Sequence, residues 1–326
     1  MKVPSLRLAL VLGIVLAASG CGARNASPDT TGVLPPTSAR RAPSWISPNA
    51  KSAKELLYVA DPFLGNIDIF SMQGLKATLV GQIADSDGPD GMTTDAAGNL
   101  YVTDEGVATE GPAAGDIKIY PKGSTIYSRY IVPAKWVPFD VAVGSDGTMY
   151  VSNIAPIGYF SPGSVSVYMP GASVPARVLH LKSFQAYGIA LHHHSKTIYV
   201  SYEAPGSDGG KIAAFAHARG KAKDLGVNYP EPWGLLEDGS NDLLACDGAG
   251  IIEVYAESDG KLVQQISVPN GAAWIAFDKS RSHIFVSNFD QIEILSYPGG
   301  TVLGSINQGW GKTTYPTGVA IWPPPP

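Results

Sequence analysis

The chain has 326 residues, 44% hydrophobic and 16% charged, with 37 glycines and 26 prolines. Acidic residues outnumber basic ones by 28 to 23, a formal net charge of −5. That balance, without a Lys/Arg cluster, argues against a nucleic-acid partner, and two cysteines are too few for a disulfide-stapled scaffold.

Lys2 and Arg7 precede an uncharged apolar run from Leu8 to Ala18, and small residues lead on to Cys21. A membrane span needs roughly 20 apolar residues, so this shorter run with a basic start and a small-residue end predicts a secretory signal over 1–20. Residues 22–54 are rich in Pro, Ser, Ala and Thr without apolar periodicity, and 21–54 reads as a disordered tether. Cleavage before Cys21 removes Lys2 and Arg7 from the 23 basic residues, leaving 21 against 28 acidic ones, a balance of −7. The remaining cysteine, Cys246, follows Leu243, Leu244 and Ala245 and reads as a buried, inert thiol.

From residue 55 the sequence repeats. The element Leu57-Tyr58-Val59 returns at Leu100-Tyr101-Val102, Met149-Tyr150-Val151, Ile198-Tyr199-Val200, Leu243-Leu244-Ala245 and Ile284-Phe285-Val286. A short apolar run stands ahead of each copy except the first ("DGMTTD", "FDVAVG", "YGIALH", "WGLLED", "AWIAFD"). A lone run of the same kind, "TGVAIW", closes the series at Thr317–Trp322. Each copy is followed by an alternating segment such as "DIKIY" or "SVSVY", then by a fourth β-rich run, with Gly, Asp, Asn and Pro turns between. Four short strands per unit of 40 to 50 residues, with no long helical period, predict an all-β fold: a six-bladed β-propeller of four-stranded blades over 55–322. The chain enters at the second strand of a blade and ends on a first strand. The ring should therefore close by the C-terminal strand joining the N-terminal blade beside Leu56–Ala60. An open solenoid or a sandwich pair would not need that permuted pattern. Residues 323–326, four prolines, cannot continue a strand or a helix.

First strands line the channel of a propeller, and the turns entering them share a face with the turns leaving the second strands. Two rings of residues follow from repeat position. The first-strand ring is Asp90, Phe139, Tyr187, Trp233, Ala273 and Thr317; the second-strand ring is Asp61, Asp104, Asn153, Tyr202, Asp247 and Asn288. Oxygen ligands converging from Asp90, Asp104, Asn153, Asp247 and Asn288 would suit calcium, which takes six to eight oxygens. The alternative use of the Asp and Asn side chains is to hydrogen-bond their own turns. Phe139, Tyr187 and Trp233 form an arc on three consecutive blades, either a ligand-binding platform or a packed plug of the mouth. His192 to His194 fall at a turn on the opposite face; with no carboxylate beside them in the sequence, they read as a solvated turn rather than a metal pair. No Ser-His-Asp order or phosphate loop on a strand–helix frame is evident.

The stretch "PDGMTTDAAGNLYVTD" resembles the NHL-type repeat and a blade of the senescence marker/gluconolactonase-like family, a likeness that covers 55–322. Ala18-Ser19-Gly20-Cys21 resembles the lipobox of bacterial lipoproteins, with Ala18 where Leu is typical, and the turns "VYMPGAS" and "SYPGG" are similar to those of lipoprotein-type NHL proteins. The resemblance implies lipidation of Cys21 in a bacterial envelope. Gly22, in place of an inner-membrane retention Asp, points to the outer membrane or cell surface. In the gluconolactonase-like family a "PDGM" Asp ligates the metal, and Asp90 matches it. The family's other ligands are Asn and Glu, where this chain has Phe139, Tyr187, Trp233, Ala273 and Thr317. The expected function is a membrane-anchored, extracytoplasmic binding scaffold without a cofactor. Its expected partner is a protein, glycan or small molecule at the channel face, and its membrane contact is through the N-terminal lipid only. The alternative is a calcium-dependent lactonase or esterase-like hydrolase.

Overall fold

The computed structural model describes residues 43–326 except 86, 107–114, 134–135, 155–161, 183–184, 193, 204–208 and 308–314. The signal, Cys21 and most of the tether lie outside the described residues. Six antiparallel sheets follow one another around a ring, a six-bladed all-β propeller. From the axis outward, blade 2 contains Pro89–Thr94, Leu100–Asp104, Asp116–Tyr120 and Arg129–Ile131. The first strands of blades 3 to 6 are Val137–Val143, Gln185–His192, Leu235–Glu237 and Ile275–Phe277.

Blade 1 is composite. Val319–Trp322 pairs with Leu56–Asp61 in the register Leu57↔Ile321 and Val59↔Val319. Two further bonds, Ala60 N–H to Gly318 O at 2.9 Å and Thr317 N–H to Ala60 O at 2.9 Å, extend the pairing to the channel mouth. This blade also begins earlier than composition indicated. Trp45–Ile46 adds a fifth, outermost strand against Gln82 and Gly81, and a short helix, Pro48–Ser52, follows with Ser47 as its cap. Ala50 of that helix is buried in the same cluster as Leu56 and Tyr58, so the blade includes residues ahead of 55 that composition had assigned to the tether. Burial of a few apolar side chains is enough to hold a segment whose composition is otherwise that of a linker.

Period-2 alternation explains the repeated triplet. In Leu100-Tyr101-Val102, Leu100 and Val102 belong to the cluster between blades 1 and 2, while Tyr101 belongs to the one between blades 2 and 3. Tyr150 and Tyr199 likewise face forward to the next blade, and their flanking residues face back. Each sheet thus has both faces buried against its neighbours, and the core is a series of seams.

Consecutive first strands nearly touch at the axis. A Cβ on Gly234 would lie 2.8 Å from Ala273 O, and one on Gly188 would overlap Trp233 O and lie 2.6 Å from Leu235 N. Gly91 and Gly318 have the same relation to Phe139 O and Asp90 O. At this repeat position blades 3 and 6 carry Asp140 and Trp274 instead. Asp140 uses its carboxylate as the link: Oδ2 accepts from Ile189 N–H of the next blade at 3.0 Å, and Oδ1 from Val141 N–H at 2.8 Å. Burial nevertheless pushes the Asp140 carboxyl up to about 7, against these two donors. A cavity of about 470 Å³ runs along the axis, lined by Met92, Val141, Ile189, Leu235 and Ile321, with Asp140 and Trp274 also in its wall. Pro324–Pro326 lie along it, and Arg281 Nη2 donates to Pro326 O at 3.0 Å.

Two outcomes follow. Removing residues 317–322 takes Val319 and Ile321 out of the core, each worth about 1.5–3 kcal/mol. Urea unfolding should show a loss of about 5 kcal/mol or a chain that no longer folds, and an unchanged midpoint would refute the closure. The Asp140 carboxyl titrates near 4 when unfolded and about 7 when folded. The stability carried by its protonated form is complete below the unfolded value and is lost as pH rises to about 7. Measured across that window, the wild type should lose stability relative to Asp140→Asn; parallel pH profiles would contradict the assignment.

Candidate functional site: the aromatic and acidic mouth of the channel

Local backbone irregularity aims the first-strand ring. In blade 2 the register steps from Pro89↔Asp104 to Met92↔Val102, leaving Asp90 and Gly91 opposite Thr103 alone. Blade 4 repeats this with Tyr187 and Gly188 opposite Ser201, and in blade 3 Phe139 is the extra residue beside Ser152. Bulges of this kind re-aim a side chain, here toward the mouth. Hydroxyls on the second strands then fix the next blade. Thr103 Oγ1 donates to Phe139 O at 2.7 Å, Ser201 Oγ donates to Trp233 O at 2.9 Å, and Ser152 Oγ bonds Tyr187 O.

The three predicted aromatics meet others that repeat position did not single out. Phe139 lies edge-on to Tyr187 at 5.2 Å and against Trp274 at 5.5 Å; Trp274 contacts Trp233 at 5.3 Å. The arc continues through Phe289 at 5.8 Å from Trp233 to Tyr315, stacked on Phe289 at 4.6 Å. Phe139, Tyr187, Trp233, Trp274 and Phe289 are all buried. Trp274 also lines the axial cavity, so the arc borders that cavity at this end of the channel.

Carboxylates border the arc. Asp90 is buried beside Glu105 and Thr317, and its Oδ1 has no hydrogen-bond partner. Burial, with the Glu105 charge beside it, holds Asp90 well above the usual carboxylate range; burial also raises Glu105. Two carboxyls this close retain a proton between them. Glu203 Oε2 lies 3.4 Å from Tyr187 Oη, and Trp233 Nε1 lies 3.4 Å from Glu231 Oε2. Burial and the Glu203 charge raise the Tyr187 phenol, so it stays neutral and donates to Gln185. Glu105, Glu203 and Glu231 were not singled out by sequence. The available signal was that Glu105 and Glu203 each follow a second-strand ring residue directly.

The second-strand ring is put to other uses. Asp61 Oδ1 accepts from Phe63 and Leu64 N–H at 3.0 and 2.9 Å, and its Oδ2 from Tyr315 N–H at 3.1 Å. Asp247 Oδ1 accepts from Ala249, Gly250 and Ile251 N–H at 2.8–2.9 Å. Asn288 Oδ1 accepts from Gln291 N–H at 2.9 Å, and Asn153 Nδ2 donates to the Ser164 and Ser166 hydroxyls, both at 3.1 Å. Asp104 faces Lys118 at 3.3 Å, within a buried network in which Lys118 Nζ also contacts Asp85 at 2.6 Å. Tyr202 Oη donates to Asp224 at 3.1 Å. Among the described residues, the oxygens brought to one point at this mouth are those of Asp90, Glu105 and Thr317, fewer than the six to eight ligands of calcium. Ala273, Phe139 and Trp233 add no side-chain oxygen. Among the described residues, this donor set by itself does not complete a calcium shell.

Comparison with known proteins adds the fold alone. No family model matches the chain, and no curated protein sequence matches it. Among solved structures, a chain of a nidogen/laminin complex has a TM-score of 0.65 at 13% identity, over 82% of this chain and 98% of that one. A protein of unknown function from Bacteroides caccae has a TM-score of 0.60 at 11% identity, over 82% and 98%. A gluconolactonase from Xanthomonas campestris has a TM-score of 0.51 at 19% identity, over 75% and 91%. At 11–19% identity the likeness to these structures concerns the fold alone.

Proposed function

We propose that this chain is an interaction propeller, exported and held in a bacterial envelope through a lipid on Cys21, that binds its partner at the aromatic and acidic mouth. The observation that carries this reading is the arc from Tyr187 through Trp274 to Tyr315, bordered by Asp90, Glu105, Glu203 and Glu231. The buried rings give the mouth a stiff floor, and the carboxylates beside them accept hydrogen bonds from sugar hydroxyls or from protein cations. An acidic mouth repels polyanions. In keeping with this reading, one propeller of similar fold comes from a complex between two proteins. Binding there needs no cofactor. A partner seated on the arc will change the emission of Trp233 and Trp274. Glu203→Gln, at a half-buried carboxylate beside Tyr187, should weaken such binding at least tenfold without altering the fold; equal affinity in the variant would refute the mouth as the docking surface.

The second reading, a calcium-dependent lactone hydrolase, is favoured by the Asp90–Glu105 pair and by the fold likeness to a gluconolactonase. The scaffold reading predicts neither calcium uptake in a calorimetric titration nor lactone hydrolysis by the purified chain. Turnover that requires calcium and is abolished by Asp90→Asn would replace it with the hydrolase.

A further inference from the structure

His192 ends the first strand of blade 4, on the face opposite the aromatic arc. No acid stands near it in the sequence, but two carboxylates of blade 5 reach it in space. Glu237 is the last residue of that blade's first strand, and Glu257 follows directly on its third, Ile251–Ala256. One ligand atom from each of the three lies within 4.8 Å of the other two, a grouping that no other His, Cys, Asp or Glu trio shares among the described residues. His192 Nε2 is 3.8 Å from Glu257 Oε2 and 3.4 Å from Asn241 Oδ1.

The group carries a marker of an unmet need. The Glu257 side chain is 8% exposed, and its Oε1 is buried without a hydrogen-bond partner. Leaving such an oxygen unpaired costs about 1–3 kcal/mol. Glu237 is also buried, with Oε1 accepting from Gly239 N–H at 2.7 Å. Burial raises both carboxyls, while the imidazole and, at Glu237, Arg281 act the other way. The Tyr199 phenol interacts with Glu257 from the same seam, a neighbour placed to orient a metal ligand.

We propose that His192, Glu237 and Glu257 form a site for a divalent cation of the zinc class, which ties blade 4 to blade 5 and leaves a position for Asn241 Oδ1 or water. The donor set selects the ion. Calcium and magnesium take all-oxygen shells, whereas zinc accepts imidazole nitrogen together with carboxylate oxygen. Tetrahedral ligands at about 2.0–2.2 Å stand roughly 3.4 Å apart, so a closure of about an ångström by side-chain rotation completes the site. The 3.4 Å approach of Ser195 N–H to His192 Nδ1 is the contact given up when Nε2 turns to the metal. His194 is not part of this group: its ring is exposed, 6.0 Å from that of His192.

The test is titration of chelator-stripped, tag-free full chain with zinc chloride, read by calorimetry and by thermal unfolding. The expected result is one equivalent bound and a raised unfolding temperature. Glu257→Gln and His192→Ala should each lower the affinity at least tenfold and abolish the thermal shift, while His194→Ala changes neither. Unfolding in chelator shows whether each variant is folded, and the near-isosteric Glu257→Gln decides should His192→Ala fail to fold. Absence of zinc binding overturns the proposal. So does binding that survives Glu257→Gln, or binding lost in His194→Ala, which would mark an exposed histidine pair as the ligand set.

Discussion

At the axis, the backbone of Gly188 lies so close to the next blade that a Cβ there would overlap Trp233 O. The rest of the molecule depends on that approach. Six sheets can bury both faces only if their first strands converge, and convergence brings one backbone against the next carbonyl. Glycine at 91, 188, 234 and 318 permits it, because a side chain would push the blades apart. Hydroxyls at 103 and 201 then bond two of the carbonyls so approached, Phe139 O and Trp233 O, and Ser152 bonds Tyr187 O in the blade where Asp140 stands for the glycine. One constraint thus sets both the width of the channel and the position of the residues at its mouth.

Asymmetry enters where the rule is broken. Asp140 replaces a glycine contact with two hydrogen bonds to backbone N–H groups. Trp274 fills the same repeat position in blade 6 with a large ring, which joins Phe139 to Trp233 across the axis. The aromatic side of the mouth therefore lies on blades 3 to 6, and the Asp90–Glu105 pair lies on blade 2. A ring that is regular as a scaffold becomes irregular as a surface, and that irregularity is what a partner can recognise. The opposite face has its own departure, where His192 meets Glu237 and Glu257 across a seam.

The architecture was legible because it rests on local signals. Tyr101 and Tyr150 repeat with alternating neighbours, turns punctuate each run, and the orphan strand at Thr317–Trp322 demands closure. The mouth was legible only in part. Phe139, Tyr187 and Trp233 follow from repeat position, but the link from Trp233 to Trp274 crosses blades. Glu105, Glu203 and Glu231 gain meaning only from neighbours on other strands, and Trp274 reads in sequence as an ordinary strand residue. The same limit applied to His192, whose carboxylate neighbours come from the following blade. Trp45–Ile46 escaped because two paired residues and a buried Ala50 leave no periodicity in a Pro- and Ser-rich segment. Asp61, Asp247 and Asn288 show the converse, a regular column of polar side chains that bond their own turns.

The dependence on axial contact is tested most directly by comparing Gly188→Ala with Gly304→Ala in thermal and urea unfolding. Neither glycine has a left-handed φ, and a Cβ at Gly304 meets nothing within 4 Å. Gly188→Ala should therefore cost about 3 kcal/mol or more by overpacking and disturb the emission of Trp233 and Trp274, while Gly304→Ala stays within about 1 kcal/mol of the wild type. Equal stability and emission in the two variants would contradict the claim that close approach at the axis holds the ring and its mouth in place.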